Sequence, residues 1–424
     1  MATPSFAVYG KPYIIFLKFL RLLFYYNYFI FCFFAVISSA DIFPIFVDWV
    51  INKVIYLSAF FCFVYGLLFF KVRISKISLP FFWLLFFYFF ASFIISFLDR
   101  GLESILTEWI AQGLYWPLCI FVFLISVDVF PFKSLLRPFI FSGLFLLLLS
   151  VFRFLGFSIP LYSNEAAVST LNSFKSGVFF YSGVYINQNR FGLFLLTFIP
   201  VLFMSVALYR SKAVKIFLSF ACLVSLMFIF LTVSRASILG LGVFYLGVIF
   251  GLRDENKAKL IFVVSVVLGG SLLFLFSDLS TLIFDRLSSG TTSGRTEIWS
   301  YALSQFYENP LSGVGDFSFD GLTAHNVYLQ FLASWGGLVF LLWFLFYALA
   351  GSVCIYYLFK RPVRDKVLVV FSCSAVLSVL VHQVFETAIN TPFSQASVFI
   401  LLLISIVFRK AFGYQWAFKY LRFK

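Results

Sequence analysis

The residues best suited to chemistry lie in one polar segment, residues 278–326. This segment holds Arg286, Arg295 and His325, and His325 is one of only two histidines in the 424-residue chain. Guanidinium groups bind phosphates through paired N–H donors, and a neutral imidazole can take a proton from a hydroxyl near neutral pH. In a chain that is otherwise strongly apolar, the segment predicts a site for an anionic substrate.

A further arginine lies in a short turn between two apolar runs, the segment Thr232–Ser237, which contains Arg235. Ser234 is expected to cap the helix that follows. The free N–H groups of that helix and the guanidinium of Arg235 would then meet at one point, which suits a phosphate. An arginine that reaches out to lipid headgroups fits the same turn equally well.

Arg295 stands at the start of a predicted amphipathic helix that ends before Asn309–Pro310, because the residue before a proline avoids the helical region. One face of this helix is apolar at i, i+3, i+4 and i+7, with Trp299, Ala302, Leu303 and Phe306. We expect the helix to lie on the membrane surface or to cap the bundle. From spacing alone, Arg295 is better explained as a solvated surface residue.

His325 and Asn326 open the next apolar run. The positive end of a helix disfavours an imidazolium, so His325 is expected to be uncharged and able to accept a proton. For a histidine considered in isolation, a structural hydrogen bond at headgroup level is the better explanation. The preceding turn, Gly313–Gly315, is expected to let the chain bend sharply towards His325.

Two more polar groups are candidates for substrate contacts. His382 and Glu386 are four residues apart near the end of a later run and are predicted to share a helix face, either for a substrate or to join the helix end to a neighbour. Asn187, Asn189 and Arg190 suit sugar hydroxyls or a phosphate, and they also suit an ordinary helix cap.

The sequence does not predict a metal or a cofactor. It has no His-x-x-x-His motif and no cysteine cluster, so a metal-dependent mechanism is disfavoured. All six cysteines lie inside apolar runs, where they are expected to be small buried hydrophobic residues.

The elements that must position these groups are membrane helices. Hydrophobic residues make up 62% of the chain and charged residues only 11%, which is typical of an all-α polytopic membrane protein. We predict about 12 transmembrane helices in one membrane domain, residues 1–424. The spans are 22–40, 54–70, 79–97, 113–130, 138–156, 191–209, 216–233, 237–252, 260–277, 327–349, 367–387 and 394–408.

The basic residues predict the orientation of these spans. Alternating the sides places 23 of the 31 Lys and Arg on one face, seven on the other, and Arg153 within a span. The positive-inside rule then makes both termini cytoplasmic and turns 158–190 and 278–326 outward as a smaller and a main loop. The net charge of +14 is explained by the basic residues that keep the cytoplasmic loops on their side of the membrane, and no nucleic-acid partner is expected. Ser38–Ala40 faintly resembles a signal-peptide cleavage site, but we expect an uncleaved first helix.

Several short motifs on the predicted outward side resemble those of the bacterial O-antigen ligase/O-antigen polymerase family. A motif before the sixth span and a glycine pair also match. The matching segments are Asn187–Asn189, Thr232–Leu241, Ser293–Trp299, Glu308–Gly315, His325–Gln330 and Gly336–Gly337. The order, sidedness and spacing of the motifs fit the family from about residue 185 to 337, whereas the earlier spans match only in topology.

The resemblance implies a metal-independent, inverting glycosyltransferase of the GT-C-like type in the bacterial inner membrane, with its active site facing the periplasm. Its donor is a glycan on undecaprenyl pyrophosphate. Its acceptor is the lipid A-core for a ligase, or another lipid-linked glycan for a polymerase, and the sequence does not separate the two. Arg235 and Arg295 would bind the pyrophosphate, and His325 would activate the acceptor hydroxyl. A transporter or flippase of lipid-linked oligosaccharide is the alternative that twelve spans also fit.

Overall fold

The computed structural model describes most of the chain as helices. The described residues are 11–40, 42, 45–73, 79–104, 114–157, 181–185, 187–253, 295–315, 323–359, 366–386, 394–412 and 415–418. Their helices are α1 Lys11–Ile37, α2 Ile45–Phe69, α3 Leu79–Ser104, α4 Tyr115–Val129, α5 Phe132–Phe154, α6 Gln188–Leu208, α7 Lys212–Leu231, α8 Arg235–Gly251, α9 Arg295–Glu308, α10 Val327–Phe359, α11 Lys366–His382 and α12 Gln395–Phe412.

Eleven of these helices overlap eleven of the predicted spans, and α9 is the predicted amphipathic helix. Five helices, α1, α5, α6, α7 and α10, contain stretches long and apolar enough to cross a membrane by length and composition. The chain is therefore a helical membrane protein, while the total of twelve spans stays a prediction. The predicted span 260–277, residues 158–180 of the smaller loop and Arg286 all lie outside the described residues.

One feature departs from the all-helical prediction. The strands β1, Phe70–Arg73, and β2, Gln415–Phe418, pair in antiparallel register, with Phe70 opposite Phe418. They join the end of α2 to the segment after α12. Four residues is the shortest length at which alternation of polar and apolar residues indicates a strand, and β1 follows directly on the apolar run of α2.

The two ends of the bundle gather different side chains. At one end Arg409 Nε lies 2.6 Å from Asp128 Oδ1, and the Arg21 guanidinium donates to the carbonyl of Val129. At the other end the backbone N–H of Gln395 donates to Ser39 Oγ at 3.2 Å. In each case the helix ends in contact are ones that the positive-inside rule predicts to lie on the same side of the membrane. Which end faces the cytoplasm stays a prediction.

Helices α8 and α11 approach each other closely because small residues face each other along both. A Cβ added to Gly247 would lie 2.5 Å from Ser374 Oγ, and one added to Gly240 would lie 3.2 Å from the carbonyl of Ser378. Small residues let membrane helices pack with their backbones near one another. This close packing fixes the height of α11 against α8 up to the end that carries Ser237 and His382.

Helix α10 is broken at Gly336, whose φ of 72° is left-handed, so the predicted span beginning at 327 is a short helix followed by a long one. The N–H groups of Val314 and Gly315 donate to the carbonyls of Ala333 and Ser334 at 2.9 and 3.0 Å. The turn after α9 therefore bends, as predicted, but it does so to dock on backbone groups that the break leaves free.

Candidate active site

The carboxylate of Glu386 is the centre of a polar cluster at one end of the bundle. Its Oε1 accepts from Asn189 Nδ2 at 2.7 Å and from Arg295 Nη2 at 3.1 Å, and its Oε2 lies 3.3 Å from His325 Nδ1. The side chain of Glu386 is only 12% exposed. The Glu386 carboxylate thus joins four chain segments, which are α6, α9, the start of α10 and the end of α11. Its partners include the guanidinium of Arg295 and the imidazole of His325.

Arg295 is held at two points and is not a freely solvated side chain. Besides the bond to Glu386, its Nη1 donates to the carbonyl of Phe385 at 3.0 Å, and the side chain is 23% exposed. Helix α9 begins at Arg295 and ends at Glu308, as the sequence predicts. Two donors on two fixed acceptors hold the plane of the guanidinium in place.

Helix α9 is anchored beneath the segment that carries His325. Trp299 Nε1 donates to the carbonyl of Ala324 at 2.8 Å, and the buried side chains of Ile298 and Ala302 pack with Ala324 and Ala333. The predicted apolar face is therefore used, but it packs against the start of α10. This contact brings Arg295 and His325 to the same carboxylate.

His325 occupies a strained position directly before α10. Its φ is 49°, in the left-handed region that few residues other than glycine adopt. Asn326 caps the helix, because its Oδ1 accepts from the N–H groups of Tyr328 and Leu329 at 3.0 and 3.1 Å. The backbone N–H of Val327 donates to the carbonyl of Gln383 at 3.0 Å. Asn326 was predicted to contact the substrate, and the structure gives its side chain the role of a helix cap.

The environment of His325 is more than a helix terminus. The sequence argument considered only the helix dipole, which disfavours an imidazolium. The structure adds the carboxylate of Glu386, whose Oε2 lies 3.3 Å from Nδ1. In the tautomer whose Nδ1–H donates to Glu386, Nε2 is the nitrogen that can accept a proton, and the His325 side chain is 30% exposed.

Arg235 is the first residue of α8 and is exposed. The turn before it is strained, since Val233 has a φ of 49°, which is rare for a β-branched residue. Ser234 is the N-cap residue, but the predicted side-chain cap is wrong: its hydroxyl makes no capping bond to the backbone N–H groups of α8 and instead accepts from the side chain of Ser237 at 3.0 Å. The first N–H groups of α8 are therefore not used by that cap.

The predicted helix face shared by His382 and Glu386 is also wrong, because α11 ends at His382 and a turn follows. The N–H of Phe385 donates to the carbonyl of His382 at 3.0 Å in that turn. The two side chains consequently point to different places. His382 is fully buried, with Nε2 at 3.3 Å from Ser237 Oγ, so it is not exposed to a substrate, while Glu386 enters the cluster.

The polar motif before α6 divides in the same way. Asn187 Oδ1 accepts from the backbone N–H of Arg190 at 2.9 Å, which is the ordinary helix cap. Asn189 instead reaches Glu386. Arg190 is exposed at the same end of the helix.

Two contributors had no signal in the sequence. The carbonyl oxygens of Gln383 and Phe385 fix Val327 and Arg295, and any residue type supplies a carbonyl. Within the part of the chain that the structure describes, no group of three His, Cys, Asp or Glu side chains could hold a metal ion. The six cysteines are free and buried, as predicted.

Among known protein families, the model described as O-antigen ligase matches residues 220–344. This range contains Arg235, Arg295 and His325, and it ends before Glu386. The resemblance drawn from the short motifs is therefore confirmed over this segment, and it supports a glycosyl-transferring activity in a membrane. No curated protein matches the chain.

Proposed function

We propose that this chain, which matches the O-antigen ligase family model over residues 220–344, moves a glycan from a polyisoprenyl pyrophosphate to a hydroxyl of an acceptor glycan. One observation carries the proposal: a single carboxylate, Glu386, joins a guanidinium and an imidazole at 3.1 and 3.3 Å. That arrangement suits a proton acceptor next to a binding site for an anionic leaving group.

On the acceptor side, His325 is the base. Glu386 accepts a hydrogen bond from Nδ1–H, which fixes the ring and leaves Nε2 for the hydroxyl of the acceptor sugar. As the new bond forms between the hydroxyl oxygen and the anomeric carbon, the hydroxyl proton moves to Nε2. The carboxylate then stabilises the imidazolium, as the acidic member of a catalytic triad does.

On the donor side, the bond between the anomeric carbon and the pyrophosphate oxygen breaks, and its electron pair stays on the pyrophosphate. This leaving group needs positive charge and no proton. Arg235, with the N–H groups that begin α8, and Arg295 supply that charge. Arg295 is already oriented by Phe385 and Glu386, so little reorganisation is needed as charge develops.

The remaining candidates have supporting roles in this proposal. Asn189 supports the Glu386 carboxylate, whereas Arg190 and Arg286 remain candidates for contacts to the glycan or its phosphates. The natural donor is undecaprenyl pyrophosphate carrying the glycan, in the inner membrane with the site facing the periplasm. The acceptor is the lipid A-core if the enzyme is a ligase, or a second lipid-linked glycan if it is a polymerase.

The test is a purified system. The protein in lipid nanodiscs is mixed with a lipid-linked glycan, one candidate acceptor at a time, and a chelator of divalent metals. We expect a mass increase on one acceptor, and His325→Ala should abolish it while leaving the protein folded. Tyr307→Phe, an exposed change on α9, is the matched control. Full transfer by His325→Ala would remove the base, and movement of the donor across vesicles without transfer would favour a transporter.

A further inference from the structure

His382 is a fully buried histidine to which the proposed chemistry gives no role. It is the last residue of α11, and it continues a row with a spacing of four residues that faces α8, consisting of Val370, Ser374, Ser378 and His382. A polar ring buried at that position must find hydrogen-bond partners, since an unpaired buried polar group is costly.

His382 and its partners form a chain of hydrogen bonds in which each group donates to the next. The Gln383 side-chain amide, as a donor, lies 3.4 Å from His382 Nδ1, so Nδ1 is the acceptor and Nε2 carries the proton. Nε2–H then donates to Ser237 Oγ at 3.3 Å, and Ser237 donates to Ser234 Oγ at 3.0 Å. The chain thus runs from α11 to the residue that precedes Arg235.

The turn at the end of this chain is one that needs support. Val233 is left-handed with a φ of 49°, and such a conformation persists only where the surroundings determine it. Helix α6 presses on the same hydroxyls, because a Cβ on Gly192 would overlap Ser237 Oγ and lie 3.3 Å from Ser234 Cβ. The position of Arg235 therefore depends on how Ser234 and Ser237 are held.

The residues after His382 hold the other half of the site. The carbonyl of Gln383 accepts from the N–H of Val327, next to His325, and Glu386 binds Arg295 and His325. The turn 382–386 is thus bonded on one side to the helix start with Arg235 and on the other to the pair of Arg295 and His325.

We propose that His382 is a positioning residue, which holds the Arg235 turn through Ser237 and Ser234 at a fixed place relative to His325. This inference rests on the proposed glycan transfer, since that reaction is what gives Arg235 a role in binding the pyrophosphate. If Arg235 acts mainly on the charge of the departing pyrophosphate, its displacement lowers kcat more than it raises KM.

The experiment compares variants of the full-length protein in nanodiscs. His382→Leu removes the donor at similar volume, His382→Gln keeps an amide N–H in reach of Ser237, and Ser237→Ala removes the middle of the chain with a small change in size. Ser378→Ala is the matched control, because this buried hydroxyl lies one turn away in the same row and has no hydrogen-bond partner among the described residues. The readouts are kcat, donor KM, and hydrogen exchange of the amides of residues 233–238.

We expect His382→Leu and Ser237→Ala to lower kcat by up to about 100-fold, as small misplacements of catalytic groups do, with donor KM little changed and faster exchange at 233–238. His382→Gln should recover most of kcat, and Ser378→Ala should match the parent protein. Parent-like kcat and exchange in His382→Leu and Ser237→Ala would overturn the proposal. So would a loss confined to the amount of folded protein. If the parent protein transfers no glycan, the proposed function fails, and the exchange data still judge the link from His382 to the turn.

Discussion

Glu386→Gln is the change that tests the proposed chemistry most directly. The carboxylate accepts from three side chains, Asn189, Arg295 and His325. Glutamine keeps the size of the side chain but replaces one oxygen with an NH2 group. That group cannot accept a hydrogen bond, so it faces at least one of the three donors, and the negative charge beside the imidazole is gone.

The structure allows the size of the effect to be worked out. At the 3.3 Å between Oε2 and Nδ1, a full charge pair at an effective dielectric constant of about 20 is worth about 5 kcal/mol. His325 is 30% exposed, and solvent reduces that value. We therefore expect a loss of about 1.5–3 kcal/mol in the transition state, the range of hydrogen bonds to charged groups. This corresponds to a fall in kcat/KM of about 10- to 150-fold.

The assay is the metal-free transfer reaction with purified protein, read as kcat/KM for the acceptor. Glu297→Gln is the matched control, because it makes the same chemical change at an exposed carboxylate of α9, two residues from Arg295. Thermal unfolding of both variants shows whether the loss reflects folding. If Glu386→Gln stays within about threefold of the parent protein, the carboxylate does not stabilise a transition-state imidazolium and the reasoning fails.

Two further predictions concern the groups around this centre. Arg235→Lys should lower kcat/KM by at least about tenfold, because a point charge does not replace the planar pair of donors on a phosphate, and parent-like transfer would instead assign Arg235 to lipid headgroups. Gly336→Ala should lower the free energy of unfolding by at least about 1–3 kcal/mol, since the residue is left-handed and its Cβ would overlap the carbonyl of Leu311. Gly242→Ala, where a Cβ meets nothing within 4 Å, is its control, and equal melting temperatures would contradict the docking of the turn on α10.

Residue types and the family resemblance together led to the candidate site. Arg235, Arg295 and His325 were noticed because cationic groups and a histidine are unusual in an apolar chain, and the resemblance gave them their proposed roles. Helix α9 was placed from Arg295 to Glu308 by its periodicity and by Pro310. The side-chain cap at Ser234 is absent, and the hydroxyl instead accepts from Ser237, three residues further along. Helices α6 and α11 both contact Ser237, since a Cβ on Gly192 would overlap its Oγ and His382 Nε2 lies 3.3 Å from it. Local capping rules do not include such contacts with other helices.

For His382 and Glu386, the local spacing in the sequence likewise did not predict where the helix ends. A spacing of four predicts a shared face only if the helix continues, and α11 ends at His382. After that residue the carbonyls of Gln383 and Phe385 are recruited by Val327 and Arg295, and Glu386 turns into the cluster. Helix ends are decided by which tertiary partners satisfy the last carbonyls, so the sequence left the two roles open.

The amino-acid sequence by itself determined that the chain is a helical membrane protein and that its basic residues are unevenly distributed over the segments between the apolar runs. It also determined which cationic and imidazole groups are available for a site. These follow from the free energy of placing side chains in hydrocarbon, which depends on residue type and local period. Only the tertiary structure decided that Asn189 and Glu386, 197 residues apart, share a hydrogen bond of 2.7 Å, and that this carboxylate joins Arg295 to His325. Hydrogen bonds and close ion pairs act over a few ångströms, and the packing of separate helices sets those distances.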